Sequence, residues 1–329
     1  MPSLHKFSRS VAALVILLAA ARAEKLILSS TFVNQVKDRA TVSANLKVDV
    51  HPNTPHSISK GGNDGDIHMA GRADEVGLPL VAEIVNARLV KPAMTRLKAT
   101  APGTEVPVEG VWRIWFEHLG KEDQIQGDPV DVPDTSNTAH LFEIHPITTF
   151  GGDSVLDSFV DIPGYTAYPA HVAFPFYEQV KATISASDSS VTITSGAGKY
   201  NYAEFVIELA GAVQDVDDGS FVLANVFDNE DDEEAVTKEA RRMVFVKGTR
   251  PACEVKKLTT GSRLHVLGIP RVNLSEVAVM ATEEAAATRL PYEMIIVAVQ
   301  KADLTDDCAP KNAATLKKKG KAKPGSGGE

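Results

Sequence analysis

Residues Thr41-Val-Ser-Ala-Asn-Leu-Lys-Val-Asp-Val50 alternate apolar and polar side chains with a period of two. That is the pattern of a strand buried on one face, and no helix can reproduce it. The same style continues over 66–71, 78–85, 106–116 and 140–149, and again over 181–187, 190–194, 202–209, 220–227, 242–246, 263–267 and 293–299. Stretches rich in Gly, Pro, Asn and Asp, at 53–66, 98–104 and 127–137, read as the turns between them. Two Ala- and Glu-rich segments, 231–241 and 276–289, read as helices. The pattern predicts a mainly β fold with a few short helices.

At 329 residues, 43% of them apolar and 23% charged, the chain has enough core for two domains. Gly151-Gly152-Asp153 follows directly on a strand and marks the expected boundary between a domain at 24–152 and another at 153–310. The halves echo each other. Asp64-Gly65-Asp66 precedes Val108-Glu109-Gly110-Val111, and Asp218-Gly219-Ser220 precedes Val266-Leu267-Gly268-Ile269 at nearly the same interval. A glycine inside a valine-rich strand marks the sharp bend of a small closed barrel. Two tandem oligonucleotide/oligosaccharide-binding-like (OB-like) β-barrels account for the spacing.

The N-terminus reads as a processing signal. Lys6 and Arg9 precede the 11-residue apolar run from Val11 to Ala21, and Ala21-Arg22-Ala23 supplies the small-x-small site. The run falls short of the roughly 20 residues of a membrane-spanning helix. Residues 1–23 are therefore expected to be removed and the mature chain exported to the periplasm or beyond as a soluble protein. Losing Lys6, Arg9 and Arg22 takes the net charge from −9 to −12. Lys311, Lys317, Lys318, Lys319, Lys321 and Lys323 then face only Glu329 in the tail, which leaves about −17 on residues 24–310. So acidic a body argues against a nucleic-acid partner. Residues 311–329 have nothing to bury and read as a disordered basic tail, either solubilising or in contact with anionic envelope polymers. In an oxidising compartment the only cysteines, Cys253 and Cys308, are expected to form a disulfide that ties the C-terminal end to a strand before Val255.

Six of the nine histidines lie between His51 and His145. In Asp64-Gly-Asp66-Ile-His68, period two puts Asp64, Asp66 and His68 on one face. In Phe142-Glu143-Ile144-His145-Pro146 it puts Glu143 beside His145, and Pro146, lacking an amide donor, should bend the strand. Glu83 stands in an apolar strand, where an unpaired carboxylate is costly. Brought together, these side chains either lock a barrel by hydrogen bonding, hold a divalent cation, or form an acid/base pair. His68, Glu83, Glu143 and His145 are expected in one cluster. Trp112 reads as core, whereas Trp115, sharing a face with Arg113 and Glu117, is either packed or free to stack on a ligand ring. The acidic run at 228–234 reads as a solvated loop entering a helix.

The order Asp-Gly-Asp-Ile-His68, Val-Ala-Glu83-Ile, Val-x-Gly110 with an aromatic-rich strand, then Glu143-Ile-His145-Pro146 resembles uncharacterised exported bacterial proteins with an OB-like barrel. The resemblance covers about Thr41 to Phe150 and implies a fold rather than an activity. The Asp-Gly-Asp strand followed by an acidic strand residue is also similar to thermonuclease-like barrels, which would make Asp66 and Glu83 calcium ligands. Ile67 stands where that family has threonine, its Asp-Thr-Pro-Glu-like stretch is missing, and its two phosphate-binding arginines have no assigned counterparts. Two functions are therefore expected. The first is a non-catalytic binding or envelope-associated module. The alternative is a metal-dependent phosphodiesterase or other hydrolase using Asp64, Asp66, His68, Glu83, Glu143 and His145.

Overall fold

The computed structural model describes residues 23–58, 64–300 and 306–308. The proposed signal up to residue 22 and the basic tail lie outside these residues. In chain order the strands are β1 (Ala23–Ser29), β2 (Thr41–Val50), β3 (Ile67–Arg72), β4 (Leu80–Ile84), β5 (Thr104–His118), β6 (Gln124–Ile125), β7 (His140–Phe150), β8 (Asp153–Ser154) and β9 (Tyr168–Pro169). They continue as β10 (Lys181–Ala186), β11 (Ser190–Gly196), β12 (Ala203–Leu209), β13 (Gln214–Val216), β14 (Gly219–Phe227), β15 (Arg241–Val246), β16 (Arg263–Val272), β17 (Ala286–Arg289) and β18 (Tyr292–Val299). The helices are α1 (Ser30–Val36), α2 (Lys91–Ala99), α3 (Ala170–Tyr177), α4 (Arg250–Val255) and α5 (Leu274–Met280).

Two five-stranded barrels dominate. In the first, β4-β3-β2-β5-β7 is closed by parallel pairing of β4 with β7. In the second, β15-β14-β12-β16-β18 is closed by parallel pairing of β15 with β18. Both have the OB order: three meandering strands, a helix (α2 or α4), then two more strands that close the ring. Both helices carry a proline in the first turn, where the missing amide costs nothing. The two mid-strand glycines occupy matching places. A Cβ on Gly110 would lie 2.6 to 2.7 Å from Ile144, Ile147 and Pro146. One on Gly268 would lie 3.0 to 3.2 Å from Ile295 and Phe205. Each sits at a shift of register, so the sequence echo corresponds to a repeated fold.

The barrels meet reciprocally, as the two sides of a two-fold interface do. Arg113 of β5 pairs across the sheet with Glu143 of β7, and Arg271 of β16 pairs with Glu293 of β18. Arg113 donates to the carbonyl of Pro270, and Arg271 donates to that of Trp112. Each arginine thus caps the residue preceding the other. Between them lies a shared core that includes Val85, Val111, Val246 and Ile269. A third sheet, β17-β10-β11-β1-β6, takes strands from both sides of Gly151-Gly152 and so spans the expected boundary.

Asp218 adds a second tie between the halves. Its carboxylate accepts from the amides of Ala40 (3.1 Å) and Thr41 (2.9 Å). Burial works against its ionisation, but those amides, Thr41 first, hold the carboxyl below its usual value. A carboxyl lowered on folding stabilises above its unfolded pKa, and that gain disappears as pH falls through the folded value. Asp218→Asn is expected to cost about 1 to 3 kcal/mol at neutral pH and to flatten the acid limb below about pH 4. Melting curves from pH 3 to 7 check this, and equal acid limbs for the two proteins would count against it.

Some expectations need correction. Segment 231–241 is not helical up to Arg241, where β15 begins. Its acidic side chains repel one another, and Arg263 instead gathers the carbonyls of Glu230 and Asp232 into an irregular loop. The 276–289 segment is helical only to Met280, because 286–289 is recruited as β17 against β10. Cys253 and Cys308 are bonded, with Cα atoms 5.7 Å apart, but Cys253 lies in α4 rather than in a strand. No helix among the described residues is long and apolar enough to cross a membrane.

Candidate functional site

The shift of register at Gly110 places β7 residues 145 and 146 opposite Val111, the bend expected at Pro146. Phe142 and Ile144 point into the barrel core, and Glu143 and His145 share the opposite face, also buried. His68 and Glu83 face one another across β3 and β4. These strands converge where the second barrel covers them, and all four side chains meet. His145 Nδ1 is 3.1 Å from Glu83 and 3.3 Å from Glu143, and His68 Nε2 is 3.5 Å from Glu83.

From there the network runs two ways. Outward, Asp66 lies 2.5 Å from His68 Nε2 and 2.8 Å from His56 Nδ1. Asp64 accepts from the Asp66 amide at 3.2 Å, so Asp64, Asp66 and His68 all take part. Inward, Glu143 accepts from Arg113 at 2.5 Å and lies 3.0 Å from His140 Nε2, while Arg113 also donates to Glu117 at 3.0 Å. His118 stacks on His140. Tyr202, from just before β12, reaches both His145, at 3.1 Å, and Asp64. His51 alone of the six histidines stands apart, bonded to the carbonyls of Pro52 and Thr100.

Charge is distributed unevenly through this network. Burial, then the Glu143 charge, pushes Glu83 well above the usual carboxylate range. Burial and the neighbouring Asp66 charge bring Asp64 up to about 7. Asp66 stays well below the usual range despite its burial, because His56 and His68 both hydrogen-bond to it. Glu143 is held low by Arg113 against the same burial cost, and Glu117 falls to about 2 for the same reasons. Burial lowers His145, whereas Asp66 overcomes burial to raise His68. His68 Nδ1 is buried with no hydrogen-bond partner among the described residues.

Among the described residues, three sets have ligand atoms all within 4.8 Å of one another: His56/Asp66/His68, Glu83/Glu143/His145, and His118/His140/Glu143. Sets of this composition suit a divalent cation. Trp115 is buried rather than open to a ligand ring. It is 1% exposed, packed edge-on against Tyr177 and walled in by Gly198, because the second half of the chain covers that face of β5. The same cover explains what sequence reading missed. Tyr202 lies far along the chain, with no local signal pointing to it. Arg113 shares the face of Trp115 and Glu117 by period-two spacing, which is the one sequence clue to its pairing with Glu117. The chain matches no family model and no curated protein.

Proposed function

We propose that the chain is an exported, non-catalytic two-barrel binding protein, and that the acid–imidazole site of its first barrel holds a divalent cation. One observation carries the choice between a lock and a ligand site: the second barrel closes without such a set. Matching Glu143 to Glu293 brings Ala82 to Met243 and therefore Glu83 to Val244, since those strands pair in parallel. His68, opposite Glu83, then corresponds to Phe221, opposite Val244, and His145 to Ile295. Phe221, Val244 and Ile295 are buried and apolar. The arginine–glutamate pair recurs in both barrels and has a structural role. The acidic and imidazole groups beside it occur in one barrel only, where burying them is costly.

The test is elemental analysis of the purified full chain, followed by chelation and calorimetric titration with divalent ions. About one ion per chain, with rebinding that raises the melting temperature, is the expected result. A chain that neither retains nor rebinds any divalent ion would contradict the proposal.

The second reading, a metal-dependent phosphodiesterase or hydrolase at Asp64, Asp66, His68, Glu83, Glu143 and His145, would need an opening and free cations for the phosphate. Arg113 is already committed to Glu143, Glu117 and Pro270, and four surface clefts of the described residues have none of these six in their walls. Phosphodiester turnover that disappears with chelator would favour this reading instead. Contact between the basic tail and anionic envelope polymers belongs to the proposal as well, testable by comparing binding of the full and tail-truncated chains.

A further inference from the structure

Resting on the cation reading, we infer that the ion sits at the outer end of the network, on His56 Nδ1, His68 Nε2 and Asp66, with Glu83 beside His68. Two imidazoles and a carboxylate make this a site for a first-row ion of the Zn2+ class rather than for Ca2+. Both imidazole nitrogens already point at the Asp66 carboxylate, from 2.8 and 2.5 Å. Glu83 lies 3.5 Å from His68 Nε2, next to the three ligands. His56 is held by more than its ring. Its amide donates to the Asp66 carbonyl at 2.8 Å, and its ring meets that of His68 edge-on with centroids 4.8 Å apart.

The other two ligand sets share Glu143, whose carboxylate is already occupied by the Arg113 guanidinium. A divalent ion there would stand beside a permanent positive charge. His56, Asp66 and His68 have no arginine among them, and the His56 side chain, 38% exposed, gives the ion a way in. Imidazole nitrogen suits zinc, copper, nickel and iron, whereas calcium takes oxygen ligands. Asp64, bonded to the Asp66 amide, and Tyr202, bonded to Asp64, would orient the carboxylate from behind.

The experiment titrates the chelator-treated full chain with Zn2+ and Ca2+ by calorimetry, and with Co2+ by visible absorption. The proteins are the unchanged chain, His56→Ala and, as a remote control, His171→Ala. His56 is half-exposed and outside the barrel core, and a thermal unfolding curve of each variant shows that it is folded before titration. The inference expects Zn2+ to bind far more tightly than Ca2+. It also expects His56→Ala to weaken Zn2+ at least 10-fold, the scale of losing a supporting group, and to change the Co2+ spectrum, with the control unaffected. Tight Zn2+ binding that His56→Ala leaves unchanged, or a preference for Ca2+, would overturn this inference while leaving the cation reading in place. Failure of every divalent ion to bind would overturn both.

Discussion

Arg271→Met is expected to destabilise the protein by about 3 to 5 kcal/mol, the cost of breaking a buried ion pair from one side. Arg271 donates to Glu293 at 2.6 Å and to the carbonyls of Ala40, Trp112 and Arg39. It also lies over the Trp112 ring, 3.6 Å from the centroid. Burial brings its pKa down to about 10, yet it remains charged at neutral pH. Methionine fills much of the volume but leaves Glu293 buried, with Arg242 left to balance it. Removing both charges with Arg271→Met/Glu293→Leu should recover a large part of the loss, because a buried pair often gives little net stability over an apolar one. Denaturant unfolding of the single and double variants checks this. A single variant within about 0.5 kcal/mol of the unchanged chain, the range of an ordinary surface substitution, would show that the reciprocal arginines do not hold the barrels together.

Glu143→Gln is expected to cost a similar amount, about 3 kcal/mol or more, while leaving cation affinity nearly unchanged. The carboxylate neutralises Arg113 and is held low by it, so the amide leaves the guanidinium short of a full counter-charge in a dry interface. Glu117 is left as the other carboxylate within reach of Arg113. Glu143 also contacts His140 and His145, so the variant disturbs the network while sparing His56, Asp66, His68 and Glu83. Unfolding and zinc titration on the same preparation separate the two roles. Lost affinity with unchanged stability would move Glu143 from the lock to the ion.

Much of this architecture can be read from the sequence, and the exceptions have physical causes. The period-two strands, the bend glycines Gly110 and Gly268 and the Cys253–Cys308 pair are local or compositional signals, and the structure bears them out. His68, Glu83, Glu143 and His145 do come together, because alternation fixes the face on which each side chain stands. Alternation gives a face but not what covers it. Trp115 is thereby left either packed or free to stack, because its cover, Tyr177 and Gly198, comes from the other half of the chain. Tyr202 reaches His145 by the same route. The helix expected at 231–241 failed because alanine and glutamate content says nothing of Arg263, which draws that loop in from β16. The reciprocity of Arg113 and Arg271 was written in the echo, three residues beyond each bend glycine, but only strand pairing makes its meaning plain.

The most direct measurement gives the first barrel the apolar filling of the second. His68→Phe/Glu83→Val reproduces Phe221 and Val244 at the matching positions. Its stability and zinc response are then compared with those of the unchanged chain by thermal unfolding, with and without metal. If the acidic and imidazole groups are there for an ion, the metal-free variant should be at least as stable as the metal-free original and should no longer be stabilised by zinc. If they are a lock, the variant will melt well below the original and the original will show no response to metal, which would contradict the account.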